Sequence, residues 1–280
     1  MTNTAAAAGG QAPEASSLDQ VILGNPSYVW RFGQERRLEM MRRYLPLEGA
    51  RVLDIGCGLG AYVRRFSDFT TQAYGIDIDA PRVVEGAHNG VARLGVGLSE
   101  SLPYADASFD GVLLNEVIEH VGNDRQTLRE ALRVTKAGGR IVIFAPNRFY
   151  PFETHGIYLG KRYVFGNIPL VNYLPDPLRN RLVPHARAYT KARLEKITAG
   201  LPCRWVDWRV IYPGFDNILA RKPGLGRALR SVTYTLERTW LQRLGLSHLL
   251  VLERIDIEGG GHLRAPAEGP NETSRPRGGA

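Results

Sequence analysis

The chain has 280 residues, of which 44% are hydrophobic and 23% charged, a balance that supports a sizeable core and excludes a largely disordered chain. Its two cysteines, Cys57 and Cys203, lie too far apart for a CxxC metal pair and are too few for a disulfide framework, so a reducing cytoplasm is the expected location. The first residues contain no basic and apolar signal-peptide pattern, and no run approaches the roughly 20 apolar residues of a membrane-spanning helix.

The formal net charge of +8 is concentrated in the second half of the chain. Residues 51–147 carry 10 basic and 12 acidic side chains, whereas residues 148–258 carry 18 and 9. Such a surplus attracts an anionic substrate, membrane or nucleic acid, or simply faces solvent. Residues 1–18 and 259–280 are rich in Gly, Pro, Ala and Ser and are predicted to be disordered tails, which leaves one domain over 19–258.

Short β-branched runs alternate with helix-like segments between residues 51 and 147. The order is strand "RVLDIG", helix "LGAYVRRFSDF", strand "QAYGIDID", helix "APRVVEGAHNGVARLG", a strand running into a loop in "FDGVLLNEVIEHV", helix "DRQTLREALRVTKAGG" and strand "RIVIFAPN". Alternation of this kind predicts an α/β fold, a mostly parallel sheet with helices on both faces.

Two insertions interrupt the pattern after Asn147. Residues 148–185 are rich in aromatic residues and proline, and residues 213–247 separate the strands "CRWVDWRVIY" and "HLLVLERIDI". Apolar residues recur at helical spacing in the second insertion, so 224–244 is predicted to be a basic amphipathic helix, either packed as a cap or resting on an anionic membrane. The apolar residues that recur at helical spacing are Leu225, Leu229, Val232, Leu236 and Trp240.

The stretch "VLDIGCGLG" ends an apolar strand in a glycine-rich turn, and Asp77 closes the next strand 17 residues after Gly60. Glycines allow a ligand to approach the backbone, and an acid at the second strand end accepts hydrogen bonds from ribose hydroxyls. The spacing GxGxG differs from the GxGxxG of dinucleotide sites, so adenosine without a pyrophosphate is predicted. The alternatives are a simple tight turn and, for Asp77, a helix cap.

Four segments together resemble the class I S-adenosylmethionine-dependent methyltransferases, in the branch of the ubiquinone-biosynthesis O-methyltransferases. They are "VLDIGCGLG", "YGIDID", "LPYADASFDGVLLNEVIEHV" and "LREALRVTKAGGRIVIFAPN", in that order across roughly residues 45–147. The resemblance implies a Rossmann-like seven-stranded, mostly parallel sheet with substrate-side insertions. It also implies S-adenosyl-L-methionine as cofactor and a small-molecule or lipid-like acceptor methylated at oxygen.

Two rival functions stay open. A nucleic-acid methyltransferase acting on base amino groups carries an (Asn/Asp)-Pro-Pro-aromatic motif where this chain has "NEVIEH", so no nucleic-acid partner is expected. An adenosine-binding regulator without catalysis shares the cofactor motif, and turnover of the methyl donor distinguishes it.

The resemblance implies roles for residues of the glycine turn and the second strand. Asp54 resembles the acid that holds the methionine amino group, and Asp77 resembles the ribose-binding acid with Ile78 packing on adenine. The loop under the cofactor comprises Gly56, Cys57, Gly58 and Gly60.

Two further positions belong to the same implied cofactor site. The acid that bonds the adenine amino group is replaced by Leu98, so Ser99 or Glu100 is expected to substitute for it. Asn115 lies where similar enzymes place a residue that faces the methyl donor. From an N-terminal helix, Tyr28 and Arg31 are candidates to reach over the cofactor.

Methyl transfer from a sulfonium depends mainly on positioning, and a general base is needed only for a hydroxyl acceptor. The candidate bases are His120, His155 and His185. No resident metal is predicted, although Glu116, Glu119 and His120 keep a pattern that in similar quinone O-methyltransferases helps to bind a divalent metal. The alternative for His120 is a packing role in the loop after the strand.

Overall fold

The computed structural model describes residues 31–256. Both predicted tails, together with Tyr28, therefore lie outside the described residues, and the expectations for them stay predictions.

The centre of the fold is a seven-stranded sheet with the strand order β10-β11-β5-β4-β1-β2-β3. Strands β3, β2, β1, β4 and β5 run parallel, and β11 and β10 add antiparallel pairs at one edge. The strands of this sheet are β1 (Val52–Ile55), β2 (Ala73–Asp77), β3 (Leu94–Val96), β4 (Phe109–Asn115), β5 (Thr135–Pro146), β10 (Cys203–Ile211) and β11 (Ser247–Arg254). The first insertion adds the short pairs β6 (Phe152–Glu153) with β9 (Ile168–Pro169) and β7 (Ile157–Leu159) with β8 (Arg162–Val164).

Helices cover both faces of the sheet, as predicted. Successive residues of one strand contribute to opposite cores: Leu53 packs in one buried cluster and Val52 in the other, as period-2 alternation requires. The helices are α1 (Phe32–Met41), α2 (Ala61–Phe66), α3 (Ala80–His88), α4 (Asp124–Val134), α5 (Asp176–Leu182), α6 (Lys191–Thr198), α7 (Asp216–Arg221) and α8 (Pro223–Leu236). Two 3₁₀ helices lie at Val171–Tyr173 and Trp240–Leu244.

The structure corrects two predicted helix ends. Helix α3 stops at His88, because Gly90 adopts a φ of +81°, and the last residues of the predicted helix form strand β3 instead. Helix α4 stops at Val134, and "TKAGG" begins β5.

A third correction concerns the predicted helix over 224–244, which is shorter and divided. Lys222, which precedes Pro223, has an extended φ of −140° that separates α7 from α8. Helix α8 then ends at Leu236, and the Thr239 side chain caps the separate 3₁₀ turn. Among residues 31–256, no helix has the length and apolar character needed to cross a membrane.

Candidate cofactor and acceptor site

The glycine turn between β1 and α2 needs its three glycines for different reasons. Gly56, Gly58 and Gly60 all have positive φ, at +73°, +54° and +77°. A Cβ on Gly56 would lie 2.5 Å from Cγ2 of Val117, and one on Gly60 would lie 2.8 Å from Val91. A Cβ on Gly58 would meet nothing within 4 Å. Two glycines therefore serve packing, whereas Gly58 borders open space at the strand ends.

Asp77, at the end of β2, joins the second strand to this turn. Its Oδ2 accepts a hydrogen bond from Gly58 N at 2.7 Å, and its Oδ1 accepts one from Asp79 N at 2.8 Å. Asp79, not Asp77, caps α3 by accepting from Arg82 N, so the helix-cap alternative for Asp77 is wrong. Each carboxylate oxygen retains a lone pair for a ligand hydroxyl. Ile78 beside it is 41% exposed, a large apolar side chain left uncovered.

Asp54 and Cys57 are both buried next to the turn. Burial, reinforced by the charge of Asp77, holds the pKa of Asp54 well above its usual range. Burial also raises the pKa of the Cys57 thiol, which makes the thiol an unreactive packing group. Because a cationic ligand group would restore the charged form, Asp54 is suited to an ammonium partner.

Arg37 of α1 links the N-terminal helix to the end of β4, and sequence reasoning missed it. Its guanidinium donates to Asn115 Oδ1 at 2.6 Å and to Glu116 Oε1 at 2.7 Å. Burial alone would raise the pKa of Glu116, but Arg37 and the Ser247 hydroxyl hold it at about 2. Glu116 has a φ of +56°, a strained value for a residue with a Cβ. The sequence shows several arginines in this helix but not which one faces β4.

An open cleft of about 210 Å³ lies between α1, the end of β4 and the second insertion. Its lining includes Arg31, Arg37, Tyr62, Asn115, Tyr212 and Asp216. The predicted residues Arg31 and Asn115 thus meet at one cleft at the carboxyl ends of the strands, where α/β folds bind ligands.

Ser99 and Glu100 have local partners. The Ser99 hydroxyl donates to Glu100 Oε2 at 2.9 Å and lies 3.1 Å from the Thr127 hydroxyl. Glu100 Oε1 accepts a weak bond from Asn123 N at 3.3 Å. Leu98 is 50% exposed. These contacts tie Ser99 and Glu100 to the start of α4, and their contact with adenine stays a prediction.

The three candidate histidines converge although each comes from a different segment. His120 follows β4, whereas His155 and His185 belong to the first insertion. The ring centroids of His120 and His155 are 5.3 Å apart, and those of His155 and His185 are 6.5 Å apart. Tyr158 and Tyr163 pack edge-on against the His185 ring. The insertion therefore builds an aromatic wall over the end of β4.

Among the described residues, the hydrogen bonds of this cluster use one imidazole nitrogen of each ring. His120 Nδ1 and His185 Nε2 each lie 3.0 Å from a backbone carbonyl, that of His185 and that of His155, so both nitrogens are donors. His155 Nδ1 lies 2.8 Å from Glu153 Oε1 and donates to it. Burial lowers the pKa of His120 to about 4 and also lowers that of His185. Both rings are therefore neutral near pH 7, and His185 Nδ1 is buried without a partner among the described residues.

Glu119 is the most unusual member of the cluster. Neither carboxylate oxygen has a hydrogen-bond partner within residues 31–256, its exposed fraction is 2%, and burial beside Glu116 raises its pKa. One ligand atom each from Glu119, His120 and His155 lies within 4.8 Å of the others. The group contains His155 in place of Glu116, which the sequence had suggested and which instead binds Arg37 and the Ser247 hydroxyl.

Comparison with known proteins identifies the core. Residues 53–143 match the family model described as "Methyltransferase domain". The sheet order is the Rossmann-like fold of the class I methyltransferases, and the matched residues form a methyltransferase domain, which implies S-adenosylmethionine as its cofactor.

Individual relatives support the same core. A demethylmenaquinone methyltransferase of Tropheryma whipplei is 38% identical over 122 residues, 41% of this chain and 50% of the relative. A ubiquinone biosynthesis O-methyltransferase of Xanthomonas oryzae pv. oryzae is 34% identical over 124 residues, 40% of this chain and 49% of the relative. An S-adenosylmethionine-dependent methyltransferase from Mesorhizobium loti shares the fold, with a TM-score of 0.54 and 17% identity over 77% of this chain and 96% of that one. The chain spans about half the length of the curated relatives it matches.

Proposed function

We propose that the protein transfers the methyl group of S-adenosylmethionine to a hydroxyl oxygen of a small, lipid-like acceptor. The observation that carries the proposal is the contact between the two halves of the site. Gly56 of the cofactor turn packs directly against Val117, which lies in the segment that bears Asn115 and His120. A ligand seated on the turn would therefore adjoin the histidine cluster.

The cofactor groups have matching partners in the turn. Asp54 would hold the methionine ammonium, and the free lone pairs of Asp77 would accept the ribose hydroxyls. Ile78 offers an apolar surface for adenine, and the missing side chain of Gly58 leaves room for the ligand to contact the protein backbone. Arg37, which already bonds Asn115 at the cleft, is placed to receive the methionine carboxylate.

The histidine cluster matches a hydroxyl acceptor. An oxygen lone pair attacks the methyl carbon, the carbon–sulfur bond breaks with its electron pair kept by sulfur, and the hydroxyl proton passes to a base. His185 Nδ1 is a buried, unpartnered acceptor for that proton. The two neighbouring tyrosines, Tyr158 and Tyr163, supply apolar faces for an aromatic or isoprenoid acceptor.

A divalent cation also fits the cluster. Neither Glu119 carboxylate oxygen has a hydrogen-bond partner among the described residues, and one ligand atom each from Glu119, His120 and His155 lies within a spacing that a shared ion allows. Such an ion would lower the pKa of an acceptor hydroxyl when bound. The chain's own residues orient that hydroxyl: the His120 and His185 rings are fixed by their carbonyl bonds.

Labelled methyl donor tests the proposal. The protein is incubated with S-adenosylmethionine carrying a tritiated methyl group and a prenylated catechol, and label is expected in the extracted acceptor. The matched acceptor lacking the hydroxyls should stay unlabelled. His185→Gln should slow the transfer by roughly 10²-fold without changing cofactor affinity, whereas the exposed His88→Gln should change neither. Equal labelling of both acceptors, or full activity of His185→Gln, would refute oxygen transfer with His185 as base.

A further inference from the structure

The second insertion has an inner face that is fixed to the body of the protein. Glu237 pairs with Arg36 of α1 at 2.5 Å, and Asp216, which pairs with Arg230 at 2.9 Å, accepts a hydrogen bond from Gly33 N of α1 at 3.1 Å. Gly226 packs so closely on Leu219 that a Cβ would lie 2.6 Å from its Cα. These contacts settle which side of α8 faces inward.

The outer face of the same insertion leaves apolar side chains uncovered. Leu225, Val232 and Trp240 are 51%, 59% and 73% exposed within the described residues, whereas Leu229 and Leu236 are half-buried. Residues seven apart on a helix lie on the same side, so Leu225 and Val232 form one strip. Leu229 and Leu236 lie within about 60° of this strip in helical projection, so the apolar stripe expected from the sequence is present and only part of it is covered.

Positive charge accompanies the exposed strip. Residues 213–247 contain six basic and two acidic side chains, and both acids, Asp216 and Glu237, are used in the internal ion pairs. Five of the six basic residues are exposed, and none of these five has an ion pair within residues 31–256. They are Arg221, Lys222, Arg227, Arg238 and Arg243.

We propose that this outer face, formed by α7, α8 and the following 3₁₀ turn, docks on an anionic phospholipid surface. Exposed aliphatic side chains, an exposed tryptophan and unpaired basic residues on one segment match the chemistry of an interfacial helix. Nucleic acid fits less well, because Leu225 and Val232 gain nothing from phosphates or base edges. Among residues 216–244, Trp240 is the one exposed aromatic side chain, since the Tyr234 ring is half-buried under the Arg36 guanidinium.

Docking would bring the open cleft between α1 and the second insertion, next to the proposed cofactor and acceptor site, to the lipid surface. Pro213, Gly214 and Asp216, at the start of the insertion, line the cleft beside Arg37, as does Tyr212 just before it. This step rests on the proposed lipid-like acceptor, whereas the docking itself does not require the protein to bind or consume S-adenosylmethionine.

Vesicle partitioning tests the docking. The full chain is mixed with sedimentable vesicles of phosphatidylglycerol and phosphatidylcholine, 1:1, and with pure phosphatidylcholine vesicles. Binding is expected to the anionic vesicles only and to weaken with added salt. Arg227→Gln/Arg238→Gln should reduce partitioning roughly 25-fold, about fivefold for each charge. The matched control Arg43→Gln/Arg129→Gln removes two exposed charges outside the segment and should bind like the parent chain.

The apolar part is tested by Val232→Ser/Trp240→Ser, which should lower partitioning while circular dichroism shows unchanged folding. Failure of the parent chain to bind anionic vesicles, or an equal loss in the control variant, would overturn the proposal. Tight binding of a single-stranded oligonucleotide without vesicle binding would overturn it in favour of nucleic acid. Calorimetry with S-adenosylmethionine on the same samples reports separately on the proposed function.

Discussion

Substitution of Gly58 by alanine separates the backbone role of the glycine turn from its ligand role. Gly58 has a φ of +54°, and a Cβ there would meet nothing within 4 Å. The folded protein should therefore lose only the cost of the left-handed conformation, about 1–2 kcal/mol. For a chain of this size that loss lowers the melting temperature by roughly 2–4 °C per kcal/mol. The new methyl group would project into the open space that the proposed cofactor site includes.

Gly138 supplies a matched control for this substitution. It has a φ of +72°, a Cβ there also meets nothing within 4 Å, and it lies in the exposed first part of β5. Gly58→Ala and Gly138→Ala should thus have similar melting temperatures by differential scanning fluorimetry. By isothermal titration calorimetry, only Gly58→Ala should weaken S-adenosylmethionine binding, by about tenfold or more if one close contact worth about 1.4 kcal/mol is lost. Equal affinities of the two variants would refute the placement of the cofactor over Gly58.

Three further predictions concern charged groups of the site. Because the pKa of Asp54 is raised, binding of the cofactor ammonium below that pKa must release a proton from Asp54. The affinity should therefore increase by up to about tenfold for each unit that the pH is raised toward that pKa, and calorimetry in buffers of different ionisation enthalpy should detect the released proton. A pH-independent affinity would contradict this. Arg37→Met should lower the free energy of unfolding in urea titrations by about 3 kcal/mol, because it leaves the negative charge of Glu116 without its partner. Arg37→Met/Glu116→Gln should recover most of that loss. Equal stability of the single and the double variant would exclude a stabilising Arg37–Glu116 ion pair. After chelator treatment, a divalent cation at about 100 times its dissociation constant should stabilise the parent chain against unfolding by about 2.7 kcal/mol, but should not stabilise Glu119→Gln or His155→Gln. A stabilisation retained in both variants would exclude Glu119, His120 and His155 as the metal ligands.

The local parts of the site could be predicted from the sequence because their residues are neighbours along the chain. The glycine turn and Asp77 follow successive strands, and parallel strands bring their carboxyl ends to one edge. The mostly parallel sheet and the helices on both faces were predicted correctly for the same reason. Strand β3 was missed because it has three residues with a central glycine, Gly95, and no apolar alternation.

The non-local parts could not be predicted from spacing. The contact of Arg37 with Glu116 joins residues 79 positions apart, and only the packing of α1 chooses Arg37 over its neighbours. The convergence of His120, His155 and His185 depends on how the first insertion folds back over β4. The composition of that insertion showed that it is rich in aromatic residues, but no regular spacing in its sequence indicates where its histidines lie.

The most direct test of the central claim is calorimetric titration of the full chain with S-adenosylmethionine, compared with Asp77→Ala and Asp79→Ala. The account predicts binding to the parent chain, a loss of about tenfold or more in Asp77→Ala, where ribose contacts disappear, and near-parent affinity in Asp79→Ala, which removes only the cap of α3. Absence of binding to the parent chain, or an affinity unchanged by Asp77→Ala, would contradict it.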